Sequence, residues 1–309
     1  MSTTPRQIHE RIEEIYRSGL VRGEDGTQYP LGDTSVTAER GKFIGDLCRT
    51  EHAARALEIG MAWGLSTLFI LAALAENGAG PDAHAVTDPF QFSRWHGAGL
   101  RTIRELGADA MIEFHEQRSE LLLPELIKAD RRFDFILIDG DHRFDGVFVD
   151  FVLVNRLLKP GGLVIFDDAW FDPVYLTCCY AETNCGYTLV AQHPDYGVPS
   201  LSGRPDQGVQ ICAYRKPAKE APRGFFDFVP FFDGIVQRGE KRLLKTGMRA
   251  LTEGDSALAR RCFLGALRIK PFRLKTYGRL LRTFLPLPFA RALTRRKVTA
   301  ASTSGGVSP

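Results

Sequence analysis

Short apolar runs alternate with longer helical patterns along the first 215 residues of the chain. The runs, each of which begins or ends near Gly, Pro or Asp, are ARALEIG, AHAVTDP, DAMIEFHE, FDFILIDG and GGLVIFDDA. Between them lie stretches with apolar residues at helical spacing, namely GLSTLFILAALAEN, SRWHGAGLRTIRELG, SELLLPELIKAD and DGVFVDFVLVNRLLKPGG. Apolar strands that alternate with helices are typical of a parallel sheet covered on both faces. The pattern therefore predicts a doubly wound α/β fold.

Further elements flank this pattern. Ile8, Ile12 and Ile15 stand at helical spacing and predict a helix that ends near Gly19, and a second helix is expected over 36–50. At the other end, YTLVAQH and GVQICAYRK predict a closing pair of strands, one of them antiparallel. We therefore expect a mainly parallel seven-stranded sheet preceded by N-terminal helices.

The first strand end has the features of a site for a cationic ligand. In open α/β sheets, ligands bind beyond the carboxyl ends of the strands. In LEIGMAWGLST, Gly60 and Gly64 permit a tight turn and close backbone approach, and Ser66 follows in the first turn of the next helix. Glu58 would repel a pyrophosphate but suits a positive charge, and a GxGxxG motif is missing. S-adenosylmethionine, which carries an ammonium and a sulfonium but no phosphate, fits this end.

The next two strand ends extend the same cofactor hypothesis. Asp88 follows the second strand, where an acidic side chain can accept hydrogen bonds from ribose hydroxyls. Gln117 and Ser119 follow the third strand and are expected to face the adenine. Each has a simpler interpretation, since Asp88 also favours a turn and Ser119 also suits a helix N-cap. Their order along three successive strand ends favours a nucleoside cofactor.

The motifs EIGMAWGLS, TDP, FDFILIDGDH and LLKPGGLVIFDD resemble those of class I S-adenosylmethionine-dependent methyltransferases. Within that group the chain is most similar to the metal-dependent O-methyltransferases of the catechol, caffeoyl-CoA, macrolide-sugar and rhamnosyl types. The resemblance covers about residues 35–215 and implies a Rossmann-like methyltransferase fold. KPGG is widespread among methyltransferases, whereas the pairing of IDGDH with FDD discriminates better.

Three carboxylates are expected to converge at the next two strand ends. Asp139 ends the fourth strand, and Asp167 and Asp168 end the fifth. Neighbouring strands lie about 5 Å apart, so these side chains would repel one another unless a cation, a proton or a basic group lay between them. Hard oxygen ligands in a polar site favour Mg²⁺ or a similar divalent ion. The sequence therefore predicts a metal site, and Asp139 is also expected to border the cofactor.

The resemblance assigns roles to the same residues. It implies that Asp139 is the first metal ligand and that Asp167 and Asp168 are the adjacent acidic pair. His142 stands where the catechol type has a catalytic lysine and where the macrolide-sugar enzymes have a histidine. We interpret His142 as the catalytic base, although it could instead orient a carboxylate.

The neighbouring acidic residues are given structural interpretations. Asp141 is interpreted as the N-cap of a helix that begins near Arg143, and Asp145 and Asp150 as residues on solvated helix faces.

These features predict an O-methyltransferase that uses S-adenosylmethionine, assisted by Mg²⁺ or another divalent cation. The expected acceptor is a hydroxyl of a sugar, a glycoconjugate or a small natural product. The alternatives are a metal-independent methyltransferase, an NAD-type oxidoreductase, and a non-catalytic binding protein built around the basic C-terminal region.

The uneven distribution of charge indicates two units. Residues 1–215 carry a net charge of −11 and residues 216–309 a net charge of +14. RKPAKEAPR is typical of a linker. We expect N-terminal helices at 1–52, an S-adenosylmethionine-binding methyltransferase domain at 53–215, a basic helical extension at 216–296 and a disordered tail at 297–309. GDSALARRCFLGALRIKP resembles one helix of a tetratricopeptide-type unit, but no second copy follows.

Composition and motifs also allow predictions about the cellular location of the protein and its binding partners. The N-terminus is polar and the longest apolar run is far too short to span a bilayer, so a cytoplasmic protein is expected. The six cysteines form no CxxC pair and are interpreted as free or buried thiols. The basic C-terminal region predicts either a packed helical pair or peripheral contact with an anionic membrane at the inner face. Nucleic acid is disfavoured because no recognition motif is present, and a homo-oligomer is left open.

Overall fold

The computed structural model describes residues 4–32, 34–195, 201, 209–219, 224, 227–229 and 233–285. The chain divides into two compact units, residues 1–231 and residues 232–309, which are described separately. The domain boundaries expected after residues 52 and 215 stay predictions.

The first unit is built on a seven-stranded sheet in the order β5-β4-β3-β6-β7-β9-β8. Its strands are β3 (Ala56–Ile59), β4 (His84–Thr87), β5 (Ile112–His115), β6 (Phe133–Ile138), β7 (Leu158–Phe166), β8 (Thr188–His193) and β9 (Ile211–Arg215). The first five are parallel to one another, and β9 runs antiparallel to both of its neighbours. A separate hairpin of β1 (Leu20–Arg22) and β2 (Gln28–Pro30) precedes the sheet. The predicted mainly parallel sheet with one antiparallel strand is confirmed.

Helices cover both faces of the sheet. They are α1 (Pro5–Ser18), α2 (Ala38–Thr50), α3 (Leu65–Glu76), α4 (Ala98–Leu106), α5 (Ser119–Lys128), α6 (Phe144–Leu157) and α7 (Asp172–Cys185). Helices α1 and α2 both pack on α3, whereas α5 and α7 both pack on α6. The central strands β3 and β6 are almost wholly buried between these layers, which explains their near-continuous apolar sequences.

The N-terminal helices begin and end where the sequence provides caps. Thr4 and Gln7 form a reciprocal capping box at the start of α1, and Gly19 ends the helix with a left-handed backbone conformation. The three isoleucines predicted for its apolar face are buried. The side chain of Thr37 caps α2 by accepting from the backbone N–H of Arg40. This cap fixes the first turn of α2, which carries the Arg40 side chain.

Two elements were not anticipated, and one is shorter than expected. The hairpin β1–β2 and the helix α7 lie in segments for which no regular pattern was assigned. Helix α7 is buried along much of its length, so its Thr, Cys and Ala residues leave no polar face to recognise. Helix α4 begins only at Ala98, because Gly97 adopts a left-handed conformation at its N-cap. Five of the six cysteines are buried, as interpreted.

The second unit contains α8 (Asp233–Glu253), α9 (Ser256–Ile269) and α10 (Leu274–Arg282). Helices α8 and α9 pack against each other, and α10 packs on α9. Their core contains Leu244, Leu251, Phe263 and Ala266. The prediction of helices in the basic extension is therefore confirmed for the described part, whereas the tail predicted at 297–309 lies outside the described residues.

None of the helices in the described ranges has both the length and the apolar character that crossing a membrane requires.

Candidate functional site

The turn after β3 can be formed only with glycine. Gly60 has a φ of +94°, and a Cβ atom added there would lie 2.1 Å from the backbone oxygen of Asp139. Gly64 has a φ of +83°, and its Cβ would lie 2.8 Å from the Cα of Gly99. Both positions combine a backbone conformation that disfavours side chains with a close approach of another backbone segment. The predicted roles of these glycines thus correspond to a structural constraint, set for Gly60 by the end of β6 and for Gly64 by α4.

Asp88 organises this turn from the neighbouring strand. Its Oδ2 accepts hydrogen bonds from the backbone N–H groups of Met61 at 3.1 Å and Ala62 at 2.8 Å. Its Oδ1 accepts from the N–H of Phe90 at 2.8 Å. The carboxylate is therefore buried under the β3–α3 turn, and its predicted bond to the ribose would use the lone pairs that these three donors leave.

Glu58 lies inside the protein beneath the same turn. It is fully buried. The hydroxyl of Ser66 donates to its Oε1 at 2.5 Å, and its Oε2 lies 3.3 Å from Nε2 of the buried His84. Burial raises the pKa of Glu58 to about 8, and burial lowers the pKa of His84 to about 3. Both shifts favour the neutral forms of these two buried groups at pH 7. The assignment of Glu58 and Ser66 to the cofactor stays a prediction.

Gln117 and Ser119 lie beyond β5, as expected. The backbone oxygen of Gln117 accepts from the hydroxyl of Thr87 at 2.5 Å. Ser119 is the first residue of α5 and not its N-cap, which is Arg118. Its hydroxyl acts to lower the pKa of Asp150 of α6, against the larger effect of burial. The expected contact of both residues with adenine stays a prediction.

Two interpretations of the neighbouring acidic residues were wrong. Asp150 is buried, not solvated, and burial raises its pKa to about 6. Its spacing from Val147 and Val154 places it on the buried face of α6, which the helical periodicity could have shown. Asp141 is not the N-cap of α6, since the helix begins at Phe144 with Arg143 as its N-cap. Asp141 instead accepts from the backbone N–H of Arg143 at 3.0 Å and pairs with its side chain. Asp145 is exposed, as interpreted.

The sheet brings Asp139, Asp167 and Asp168 together at the ends of β6 and β7. The N–H of Asp139 donates to the backbone oxygen of Ile59 at 2.9 Å, and the N–H of Asp167 donates to that of Ile138 at 3.1 Å. The strand ends are therefore aligned side by side. The predicted convergence of these carboxylates follows from this alignment.

The basic group among these carboxylates is Arg40 of α2, which sequence reasoning missed. Its Nη2 pairs with Oδ1 of Asp167 and lies 3.1 Å from Oδ1 of Asp168. Burial lowers the pKa of Arg40, but the two carboxylates outweigh this and raise it overall. Burial and the nearby Asp139 raise the pKa of Asp167 to about 7, while Arg40 acts in the opposite direction. We refer to Arg40, Asp139, His142, Asp167 and Asp168 as the charged cluster.

His142 faces two of these carboxylates. Its Nε2 lies 3.5 Å from Oδ1 of Asp139 and 3.5 Å from Oδ2 of Asp168, slightly beyond normal hydrogen-bond length. Burial lowers the pKa of His142, but Asp139 and then Asp168 outweigh burial, so the pKa is raised. The predicted base therefore lies among the carboxylates that can orient its imidazole and stabilise its protonated form.

An aromatic pair borders the charged cluster. The indole N–H of Trp170 donates to Oδ1 of Asp168 at 3.0 Å, and the Trp170 ring stacks on Phe171 with centroids 4.0 Å apart. The Phe171 ring lies 5.3 Å from the imidazole of His142. Asp168 has a φ of +52°, an uncommon conformation for a residue other than glycine. The turn after β7 thus directs a half-exposed aromatic surface toward the candidate base.

The metal predicted at Asp139, Asp167 and Asp168 does not fit this arrangement. Oδ1 of Asp167 accepts from Arg40 and from the backbone N–H of Asp168, and Oδ1 of Asp168 accepts from Arg40 and Trp170. Within the described ranges, no group of three or more His, Cys, Asp or Glu side chains is arranged to hold a metal ion. Donors thus occupy one oxygen of Asp167 and one of Asp168, and a fixed positive charge lies where a divalent ion would approach them.

Comparison with known proteins gives a consistent class. Residues 57–169 match the family model described as a methyltransferase domain. The chain is 28% identical over 166 residues to a caffeoyl-CoA O-methyltransferase of Populus kitakamiensis, covering 53% of this chain and 65% of the relative. It is 26% identical over 175 residues to the tapetum-specific methyltransferase 1 of Arabidopsis thaliana, covering 55% and 69%. The chain thus spans about two thirds of the length of these relatives.

A solved structure supports the fold. The S-adenosylhomocysteine-bound methyltransferase PaMTH1 of Podospora anserina superposes with a TM-score of 0.50 at 14% identity, covering 70% of this chain and 89% of that one. The strand order, the glycine turn after β3 and the methyltransferase match over 57–169 lead to one class. The chain therefore contains, over residues 57–169, a methyltransferase domain of the class I S-adenosylmethionine-dependent type, as the resemblance of its motifs implied.

Replacing Gly60 with alanine tests the turn. The positive φ and the contact with the Asp139 carbonyl should cost about 1–3 kcal/mol of folding free energy or more, and binding of S-adenosylhomocysteine should weaken. Chemical denaturation and calorimetry measure the two effects. Gly80→Ala is the matched control, since a Cβ there meets no atom within 4 Å. Wild-type stability and wild-type binding in Gly60→Ala would contradict the account.

Proposed function

We propose that this methyltransferase transfers a methyl group to a hydroxyl of a small acceptor, namely a sugar, a glycoconjugate or a natural product. The observation that carries the proposal is the position of His142 between Asp139 and Asp168, at the strand ends beside the glycine turn. A hydroxyl needs a base when it attacks a methyl group, and histidine is the side chain best suited to that task near neutral pH. The O-methyltransferase name of the Populus relative agrees with this chemistry.

Each residue of the site has a part in this reaction. The bound cofactor supplies a methyl group on a positively charged sulfur. The Gly60 turn and Asp88 hold that cofactor at the ends of β3 and β4. Asp139 and Asp168 orient the imidazole of His142 and stabilise its positive charge. His142 accepts the hydroxyl proton while the acceptor oxygen bonds to the methyl carbon and the sulfur–methyl bond breaks, leaving S-adenosylhomocysteine.

The aromatic pair supports a ring-shaped acceptor. The side chain of Trp170 is 44% exposed although its N–H is held by Asp168. Aromatic faces bind the apolar face of a sugar ring or the ring of a phenol, and a fixed indole loses little conformational freedom when it does so. A ring stacked on Trp170 would lie beside His142, because Phe171 contacts both residues. The acceptor class therefore combines a ring with a hydroxyl.

The competing predictions differ in what they explain. An NAD-type oxidoreductase accounts neither for the methyltransferase match nor for the missing GxGxxG motif. A non-catalytic binding function does not explain why the charged cluster is placed at the strand ends beside the glycine turn. Within methyl transfer, the alternative is assistance by a divalent metal ion held by Asp139, Asp167 and Asp168. The contacts of Arg40 with Asp167 and Asp168 favour metal-independent transfer.

Turnover of isotopically methyl-labelled S-adenosylmethionine against a panel of sugars and phenols tests the reaction. His142→Ala should lower kcat by roughly 10²–10⁴-fold, the usual size of a general-base contribution. His9→Ala is the control, since His9 lies on the exposed surface of α1. No labelled methyl ether with any hydroxyl acceptor, or a change below about threefold in His142→Ala, would contradict the proposal.

We further propose that the second unit contacts an anionic membrane surface through α10. Apolar side chains on and beside this helix are exposed, and Lys275, Arg279 and Arg282 follow one another along its adjacent face. The most exposed of these apolar residues are Phe272, Leu274, Leu281 and Phe284. Such a helix lies in the interface of a bilayer, where each basic residue contributes about 1 kcal/mol on anionic lipid.

Sedimentation with vesicles tests this contact on the full chain. Wild type should pellet with vesicles that contain phosphatidylserine and remain in solution with neutral vesicles. A variant with Phe272→Ser, Leu274→Ser and Leu281→Ser should not pellet, because the inserted apolar surface is lost. Leu121→Ser, which removes an exposed leucine from α5, is the matched control. Equal pelleting of the triple variant and wild type would return α10 to a purely structural role.

A further inference from the structure

Within the charged cluster, the repulsion between neighbouring carboxylates is compensated by Arg40. Asp167 is buried, and Asp168 and Asp139 lie beside it at the aligned ends of β6 and β7. Carboxylates held this closely disfavour one another's charged forms unless a positive group compensates them. The compensating group that the structure provides is Arg40, which contacts both members of the adjacent acidic pair.

Arg40 is a fixed part of the cluster and not a surface side chain that reaches it by chance. Its side chain is 13% exposed. It projects from the first turn of α2, which Thr37 caps, so the helix holds the guanidinium at the end of β7. Guanidinium groups stay protonated at any pH that a folded protein tolerates, so this positive charge is permanent.

The oxygens that Arg40 contacts have further donors. Oδ1 of Asp167 also accepts from the backbone N–H of Asp168 at 2.8 Å, and Oδ1 of Asp168 also accepts from the indole N–H of Trp170 at 3.0 Å. Each of these oxygens has two lone pairs, and two donors use both of them. A divalent ion bound to these two oxygens would have to displace Arg40 and break bonds to Trp170 and to the backbone. It would also have to approach a positive guanidinium.

We propose that Arg40 takes the place of a divalent metal ion as the resident cation of the reaction centre, and that methyl transfer by this chain is metal-independent. The inference rests on the proposed O-methyl transfer at His142. Arg40 balances the charge of the acidic pair and contacts Oδ1 of Asp168. The other oxygen of Asp168, Oδ2, lies 3.5 Å from Nε2 of His142. Activation of the acceptor hydroxyl is left to the imidazole, and Arg40 acts as a positioning residue.

Binding of Mn²⁺, followed by electron paramagnetic resonance, tests the inference independently of turnover. The signal of free aqueous Mn²⁺ should be unchanged by wild-type protein, with or without S-adenosylhomocysteine. Arg40→Gln should reduce this signal by binding Mn²⁺ at least about tenfold more tightly than wild type does, because the carboxylates lose their cation and regain free lone pairs. Arg40→Lys keeps the charge and should exclude Mn²⁺ as wild type does. Arg49→Gln is the matched control, since Arg49 lies on α2 with its ion pairs at the surface.

The outcomes separate this inference from the proposed function. Stoichiometric Mn²⁺ binding by wild type that is lost in Asp168→Asn would overturn it, whether or not the arginine variants fold. Loss of wild-type turnover in EDTA, restored by Mn²⁺, would also overturn it and would leave O-methyl transfer standing. Turnover that persists in EDTA, together with Mn²⁺ exclusion by wild type, supports it. Failure to methylate any hydroxyl would remove the proposed function without changing the Mn²⁺ result.

Discussion

The ion pairs between Arg40 and the carboxylates of Asp167 and Asp168 link the two ends of the chain's catalytic fold. Parallel strands end at one edge of the sheet, so acidic residues at neighbouring ends meet there by geometry alone. Burial makes such a meeting unfavourable, and removal of one partner of a buried pair leaves a charge without compensation. Arg40 meets this constraint from α2, more than 120 residues earlier in the chain. Helix α2 is thereby tied to the end of β7.

The same edge of the sheet carries the proposed cofactor site on one side and the proposed base on the other. On the side of β3 and β4, Gly60, Asp88 and the neutral pair of Glu58 and His84 shape a turn into which a nucleoside cofactor can approach closely. On the side of β6 and β7, charged groups surround His142. The Gly60 turn joins the sides, since it touches the carbonyl of Asp139. The proposed cofactor site and the proposed base His142 are thus adjacent because the central strands β3 and β6 are neighbours.

Most of the fold could be predicted because its signals are local. Each central strand is a short apolar run, and each connecting helix has its own periodicity, so order and type follow from the sequence. The convergence of Asp139, Asp167 and Asp168 also follows, because parallel topology alone brings their strand ends together. Helix α7 was not predicted, because a helix that is buried on several sides has no polar stripe along its sequence.

The partners of the acidic residues could not be predicted in the same way. Arg40 is one of five charged residues in α2, and nothing in its neighbourhood distinguishes it from Arg49, whose ion pairs lie on the surface. His84 stands at the start of a strand, and only the pairing of β3 with β4 brings it to Glu58. Tertiary contacts of this kind depend on the packing of separate elements. Asp150 differs, since its place on the periodic face of α6 was visible in the sequence.

A crystal structure of the full chain with S-adenosylhomocysteine tests whether the cofactor and His142 meet at this edge of the sheet. We expect the ligand at the ends of β3, β4 and β6, with its ribose beside Asp88 and its sulfur between the Gly60 turn and His142. We also expect Arg40 to remain paired with Asp167 and Asp168. A ligand bound elsewhere on the sheet, or a sulfur atom separated from His142 by the body of the protein, would contradict the account.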